Sequence, residues 1–314
     1  MRRARRYPAM ATILHLSDLH FGSHLPKLVD AVVERAAIER PDLIVISGDF
    51  TQRAKTVEYE EAGRFLGRLR DNGHEVLAVP GNHDIPLYNV LRRFLSPLTR
   101  YKKYINEELC PFVELDGVSV LGLNTARSAT FKDGSISHEQ IRFIRDTFAG
   151  TNPDHVRILV THHPLFALPV GDGELGAPVD HQQDALAAIA EAGIDVLLAG
   201  HNHRASNEAS ELVKGSGRAL VIQAGTATSN RVRGENQSFN MLVVDGSGVT
   251  VAVESWADGH FERADRARFR RIGDHWQLGD EPVEAPADPA DAPSPMVLRA
   301  PESPAKGKAA TKEE

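Results

Sequence analysis

Five times along this 314-residue chain an apolar run stops at one or two small residues and is followed by side chains that bind metals. Residues 13–16 give way to Asp18 and His20, and residues 43–46 to Asp49. The run 75–79 passes through Pro80-Gly81 to Asn82, His83 and Asp84. Residues 156–160 lead to His162 and His163, and residues 196–199 to His201 and His203. A buried strand that ends in a tight turn delivers polar side chains to the edge where open α/β sheets gather their chemistry. Taken singly, each junction has a plainer reading. Asp18-x-His20 is a surface pair more often than a metal site, and Gly81-Asn82-His83-Asp84 is built of turn residues. Five junctions of one grammar are best explained as one site assembled from five strand ends.

Between the junctions strands and helices alternate. Apolar Leu28, Val32, Ala36 and Ile38 predict a helix over 26–39, and Val57, Phe65, Leu66 and Leu69 a buried stripe on a helix near 56–71. Two extended runs, 112–115 and 118–123, meet at Asp116-Gly117 as a hairpin. Ser137 with Glu139-Gln140 supplies capping-box chemistry for a helix over 137–149. A Gly/Pro loop covers 164–180, a helix 181–192 and a strand 194–199. From Ala219 the texture changes to short strands at 219–224, 238–244, 249–255 and 260–264. This pattern alone specifies an α/β fold with a mixed sheet.

The ends differ in character. Arg2, Arg3, Arg5 and Arg6 make a basic leader over residues 1–10, but the apolar run that follows is broken by His15, Ser17, Asp18 and His20, unlike a signal peptide. Residues 281–314 hold seven prolines and few apolar side chains, which predicts a disordered tail. The expected domain is therefore 11–280. Over that span 28 basic face 36 acidic residues, net −8, which argues against a long nucleic-acid substrate. The single cysteine, Cys110, forbids an internal disulfide, and no run reaches the roughly 20 apolar residues of a membrane helix. The expected location is the cytoplasm.

The motif order Asp18-Leu19-His20, Gly48-Asp49, Gly81-Asn82-His83-Asp84, His162-His163-Pro164 and Gly200-His201-Asn202-His203 resembles the calcineurin-like metallophosphoesterase superfamily over residues 12–245. The nearest subgroup is the bacterial class III cyclic-nucleotide phosphodiesterases and glycerophosphodiesterase-type enzymes. The resemblance implies a four-layer α/β/β/α sandwich, two mixed sheets flanked by helices, with ligands on loops at one edge. It implies two divalent ions, one held by Asp18, His20, Asp49 and His203 and the other by Asp49, Asn82, His162 and His201, with Asp49 shared. A donor set of carboxylate, amide and imidazole without thiolate suits manganese, iron or zinc. In the same pattern His83 is no ligand but faces the phosphate, where it can protonate a leaving oxygen. Asp84 is expected to fix the tautomer of His83, and His163 to support its ligand neighbour.

The implied reaction is hydrolysis of a small soluble phosphodiester such as a 3′,5′-cyclic nucleotide. A glycerophosphodiester, a UDP-sugar lipid or a nucleic-acid end would use the same chemistry, and a non-catalytic interaction module would lack the ligands that are present here. Asn82 and His83 would touch substrate, and Arg127, at the end of strand 118–123, is a further candidate for the phosphate. The segment from Leu91 to Ile105 mixes Arg92, Arg93, Arg100, Lys102 and Lys103 with apolar residues. It reads either as an ordinary amphipathic helix pair or as a surface for anionic substrate or membrane. A dimer is compatible with this sequence.

Overall fold

The apolar runs close into two sheets in the computed structural model, which describes residues 10–128, 134–165, 168–170, 173–175, 182–201, 206–208, 219–230, 236–272 and 275–279. The basic leader up to residue 9 and the tail 281–314 lie outside the described residues. The strands are β1 (Met10–Leu16), β2 (Leu43–Ile46), β3 (Val76–Ala78), β4 (Phe112–Leu115), β5 (Val118–Leu123), β6 (Val156–Thr161), β7 (Leu168–Val170) and β8 (Gly173–Leu175). They continue as β9 (Val196–Ala199), β10 (Ser206–Glu208), β11 (Leu220–Gln223), β12 (Ser238–Asp245), β13 (Gly248–Ala257), β14 (His260–Ile272) and β15 (His275–Leu278). The helices are α1 (Pro26–Glu39), α2 (Thr56–Asp71), α3 (Val90–Leu95), α4 (Thr99–Tyr104), α5 (His138–Ala149) and α6 (Gln182–Glu191).

One sheet runs β15-β14-β13-β12-β1-β2-β3 and the other β10-β11-β9-β6-β5-β4, while β7 and β8 form a separate hairpin. Parallel pairs β1-β2 and β2-β3 are spanned by α1 and α2, as parallel crossovers require. Three apolar layers follow from strand alternation. Ile13, Val45 and Leu77 face Val120, Ile158, Val160 and Leu198 between the sheets. Leu14, Leu16, Ile44 and Ile46 pack outward on Leu28, Val32, Phe65 and Leu66 of the first helix layer. Leu121, Leu159 and Leu197 pack on Ile141, Ile144 and Ile189 of the second. The result is helices, sheet, sheet, helices, the four-layer sandwich the resemblance implied.

Some expectations change in detail. Ile38 and Val57 are exposed, because the buried stripes run through Val29 and Val33 on α1 and through Tyr59 and Ala62 on α2. The last predicted strand, 260–264, extends as β14 to Ile272 and is followed by β15. Seven of the ten residues 262–271 are charged, so its alternation is faint in sequence. The loop 164–180 contains the β7-β8 hairpin. The segment 91–105 breaks into α3 and α4 at Ser96-Pro97. Its Leu98, Tyr101 and Ile105 are buried in the core, so its exposed apolar side chains are confined to the first part.

Candidate metal centre

The parallel strands β1, β2 and β3 of one sheet and β6 and β9 of the other end beside one another, and every candidate ligand among the described residues sits just past one of those ends. The turn after β3 is a single 3₁₀ turn, Asn82–Asp84. Gly48, at φ 97°, has no room for a Cβ, which would come within 2.6 Å of Nδ1 of His162. At Gly200 a Cβ would overlap Oγ of Ser17. The junctions therefore need their small residues for close approach of two loops, as well as for turning the chain. Asp18, His20, Asp49 and His201 all hold positive φ, at 53°, 47°, 55° and 73°. Non-glycine residues rarely do so, and here four of the seven that do among the described residues are candidate ligands.

The ligands meet in two groups around Asp49. Its Oδ2 lies 3.7 Å from Nε2 of His20, which is 3.6 Å from Oδ1 of Asp18. Its Oδ1 lies 3.4 Å from Nε2 of His162 and accepts the backbone N–H of His83 at 2.8 Å. Nε2 of His162 is 3.0 Å from Oδ1 of Asn82 and 3.3 Å from Nδ1 of His201, and that Nδ1 is 3.2 Å from Oδ1 of Asn82. Nδ1 of His162 is 2.8 Å from Ser47 O, a carbonyl that can only accept. Nδ1 therefore carries the hydrogen and, in the neutral ring, Nε2 presents a lone pair. That lone pair, the Asp49 carboxylate and the Asn82 carbonyl are all electron-rich and all point at one another. A cation relieves such a cluster, so the donor set fits a metal by its own chemistry. Ligand atoms of Asp18, Asp49 and His162 lie within 4.8 Å of one another, as do those of His162, His163 and His201. His203 lies outside the described residues.

The buried histidines set the charge of Asp49. Burial works to raise the Asp49 carboxyl, but the imidazoles of His162, His83 and His20 outweigh it and hold it below the ordinary carboxylate range. Burial, reinforced by neighbouring His162 and His201, holds His163 well below the ordinary imidazole value. His163 donates to or accepts from Thr125 Oγ1 at 2.8 Å through Nδ1 and is buried beside His162 and His201.

The structure corrects the expected role of Asp84. Its Oδ1 accepts from Thr51 N at 2.9 Å and Thr51 Oγ1 at 3.1 Å, and its Oδ2 from Gly81 N at 2.9 Å and Phe50 N at 3.2 Å. Four donors from the loops after β2 and β3 consume the carboxylate, so it pins the two loops together. Burial and the nearby Asp49 still push its carboxyl up to about 7, against the pull of those amides. The tautomer of His83 is set instead by Gln52, whose carbonyl oxygen lies 2.8 Å from Nδ1. His83 stands edge-on to His20, centroids 4.9 Å apart.

Arg127, the further candidate for the phosphate, lies just past the end of β5. Half-buried, it pairs with Oε1 of Gln140, and burial lowers its pKa from the ordinary guanidinium value. It lines a cleft of about 400 Å³ with Ile85, Leu98, Thr99, Lys102 and Asn124, none of them a candidate ligand.

Several supporting residues escaped the motif reading. Oγ of Ser17 and the backbone N–H of His201 donate to Oδ2 of Asp18 at 2.7 and 3.0 Å, and Thr226 Oγ1 donates to Asp18 O at 2.7 Å. Tyr59 on α2 donates its hydroxyl to Asp84 O at 2.5 Å. The recurrence of serine before the ligand, at Ser17 and Ser47, was the one local signal available.

With this geometry in view, the comparisons with known proteins are specific. The family model for calcineurin-like phosphoesterases matches residues 11–205. The glycerophosphodiester phosphodiesterase GpdQ of Enterobacter lignolyticus is 26% identical over 204 residues, 61% of this chain and 70% of the relative. The DNA double-strand break repair protein Mre11 of Saccharolobus solfataricus is 32% identical over 129 residues, 36% of this chain and 33% of the relative. Among solved structures, purple acid phosphatase PPD1 from yellow lupin (Lupinus luteus) superposes with a TM-score of 0.61 at 13% identity, covering 82% of this chain and 54% of that one. This chain thus spans about half of the lupin protein and a third of the Saccharolobus one, and the lupin likeness is one of fold.

Proposed function

From the premise that this chain belongs to the calcineurin-like phosphoesterase family, we propose that it is a phosphodiesterase acting on a small phosphodiester. The observation that carries the reading is Asp49, whose two carboxylate oxygens face two separate imidazole groups, His20 on one side and His162 on the other. One side chain between two donor clusters is the arrangement a dinuclear centre needs. Asp18, His20 and Asp49 would hold one divalent ion, with His203 as the further candidate. Asp49, Asn82, His162 and His201 would hold the second. Such a pair supplies Lewis acidity at phosphoryl oxygens and lowers the pKa of water.

The chain's own residues do the rest. Nδ1–H of His83 is committed to Gln52, so Nε2 is the nitrogen that holds or releases the working proton. In the charged ring Nε2–H donates to the leaving oxygen, and after release the neutral ring can take a proton back. The backbone N–H of His83 on Asp49 fixes the imidazole relative to the carboxylate. Asn82 adds a neutral oxygen donor, which avoids a further negative charge beside an anionic substrate.

The name of the Enterobacter relative favours a glycerophosphodiester as substrate, with a 3′,5′-cyclic nucleotide as the second reading of the same chemistry. The match to Mre11 covers too little of either chain to favour nucleic acid, and the net charge of −8 over residues 11–280 opposes a long polyanion. The test is turnover of bis-p-nitrophenyl phosphate against p-nitrophenyl phosphate by manganese-loaded protein, followed by glycerophosphodiesters and cyclic nucleotides. Preference for the diester supports the proposal, and preference for the monoester replaces it with a phosphatase.

A further inference from the structure

The chain that follows the His83 turn divides into two unlike halves. Leu98, Tyr101 and Ile105 are core, whereas Leu87, Tyr88, Val90, Leu91, Phe94 and Leu95 stand in water. All but Leu87 of these six are between 60% and 75% exposed. They fall within nine residues and make up six of the thirteen exposed large apolar side chains among the described residues, and the other seven are spread along the chain. An apolar patch this concentrated marks a contact surface. Its backbone is anchored. Asn89 caps α3 by accepting from Arg92 N at 2.9 Å, and buried Arg93 donates Nε to Ser128 O at 2.7 Å and Nη1 to Pro86 O at 3.3 Å. The apolar side chains are therefore displayed on a fixed turn of helix.

Charge identifies the occupant. Residues 85–106 contain five cations and no acidic residue, in a chain whose net charge is −7. Arg93 is buried and Arg100 donates to Ala54 O, which leaves Arg92, Lys102 and Lys103 as the cations of the surface. Lys102 and Lys103 are exposed, and the guanidinium of Arg53 lies 5.9 Å from the centroid of the Tyr88 ring. Exposed apolar side chains followed within eight residues by exposed cations match a membrane interface, where the first enter the headgroup region and the second meet anionic phosphates. We propose that residues 87–95, with Lys102 and Lys103, form a docking surface for an anionic phospholipid bilayer. The contact is peripheral, since no helix among the described residues is long and apolar enough to cross a membrane. Leu87 is the third residue after Asp84, which holds their Cα atoms within about 11 Å. The bilayer would thus lie beside the catalytic turn.

The test is sedimentation of the full chain with vesicles of phosphatidylcholine alone and of phosphatidylcholine mixed with phosphatidylglycerol, at low and high salt. The wild type is expected to bind the mixed vesicles only, and less at high salt. Leu91→Glu/Phe94→Glu should lose more than about tenfold in partition coefficient. Lys102→Ala/Lys103→Ala should lose about fivefold per charge, while Val57→Glu, at an exposed apolar site on α2, should bind like wild type. Failure to bind phosphatidylglycerol vesicles, or binding that survives both double variants, overturns the proposal. Light scattering provides the other decisive outcome, because a dimer that Leu91→Glu/Phe94→Glu splits assigns the patch to a second copy of the chain. Sedimentation needs no turnover, so its failure leaves the phosphodiesterase reading standing, and inactivity toward diesters leaves the docking surface standing.

Discussion

Replacing Asp84 by alanine should cost the protein about 3–5 kcal/mol in stability before any question of catalysis arises. The fully buried carboxylate accepts from three backbone N–H groups and the Thr51 hydroxyl. Thr51 Oγ1 keeps a second acceptor, the carbonyl of His83 at 3.0 Å, but the amides of Phe50, Thr51 and Gly81 lose the acceptor that joins them. Each buried donor left unsatisfied costs roughly 1–3 kcal/mol. Part of that sum is offset because the carboxylate is itself held unfavourably, its carboxyl raised to about 7 by burial and by Asp49. Asp84→Asn keeps the volume and one acceptor oxygen, but turns an NH2 group toward amide donors, so about half the loss is expected. The assay is urea unfolding of chelator-treated wild type and both variants, with comparable slopes so that midpoints report stability. Turnover of bis-p-nitrophenyl phosphate is measured in parallel. Variants that unfold like wild type yet lose activity would refute the loop-pinning role and return Asp84 to service as the partner of His83.

Asp49→Asn should lower occupancy of both metal sites, read as metal per chain by mass spectrometry, because each oxygen of Asp49 faces a different donor group. Loss from one site alone would contradict the bridge. His83→Gln should lose about 10²–10⁴ in turnover while metal content and unfolding midpoint hold, and concurrent metal loss would show His83 to be a ligand. His15 is buried against Ser47, its Nε2 3.0 Å from Oγ, and burial lowers its pKa from 6.5 to about 3. A depressed value means the unfolded chain binds the proton first, so this part of the stability is present above pH 6.5 and lost as pH falls toward 3. Chelator-treated protein should lose about 3 kcal/mol between about pH 7 and pH 4 from this group. His15→Gln should flatten the slope, and an unchanged slope would assign it elsewhere.

Apart from the β7-β8 hairpin, the helix and strand order through residue 200 was legible because each element is short, cleanly periodic and ended by a recognisable stop. Helix α1 lies where the spacing of Leu28, Val32 and Ala36 put it. Ser137 and Gln140 make the reciprocal capping bonds expected of them, Gln140 N to Ser137 Oγ at 3.2 Å and Ser137 N to Gln140 Oε1 at 3.0 Å. The clustering of the candidate ligands was legible for the same reason, since a strand end fixes where its next side chains go. Second contacts were not. Asp84 and Thr51 lie 33 residues apart, Asp18 and Thr226 lie 208 apart, and nothing local marks either pair. Gln52 was invisible because it acts on His83 through its backbone carbonyl, which any residue type could supply. The exposed half of segment 91–105 looked like the buried half, since both mix arginine or lysine with large apolar residues and only packing separates them.

The left-handed backbones of Asp18, His20, Asp49 and His201 bear on how such a site is inherited. At about 1–2 kcal/mol each, the four hold roughly 4–8 kcal/mol of conformational strain. A change to glycine at any of them would remove a candidate ligand and ease the backbone, but at Asp18 or Asp49 it would also strip the acceptor from Ser17 and His201 or from His83. Loss of such a site is therefore a trade of backbone strain against stranded buried donors rather than a simple relaxation.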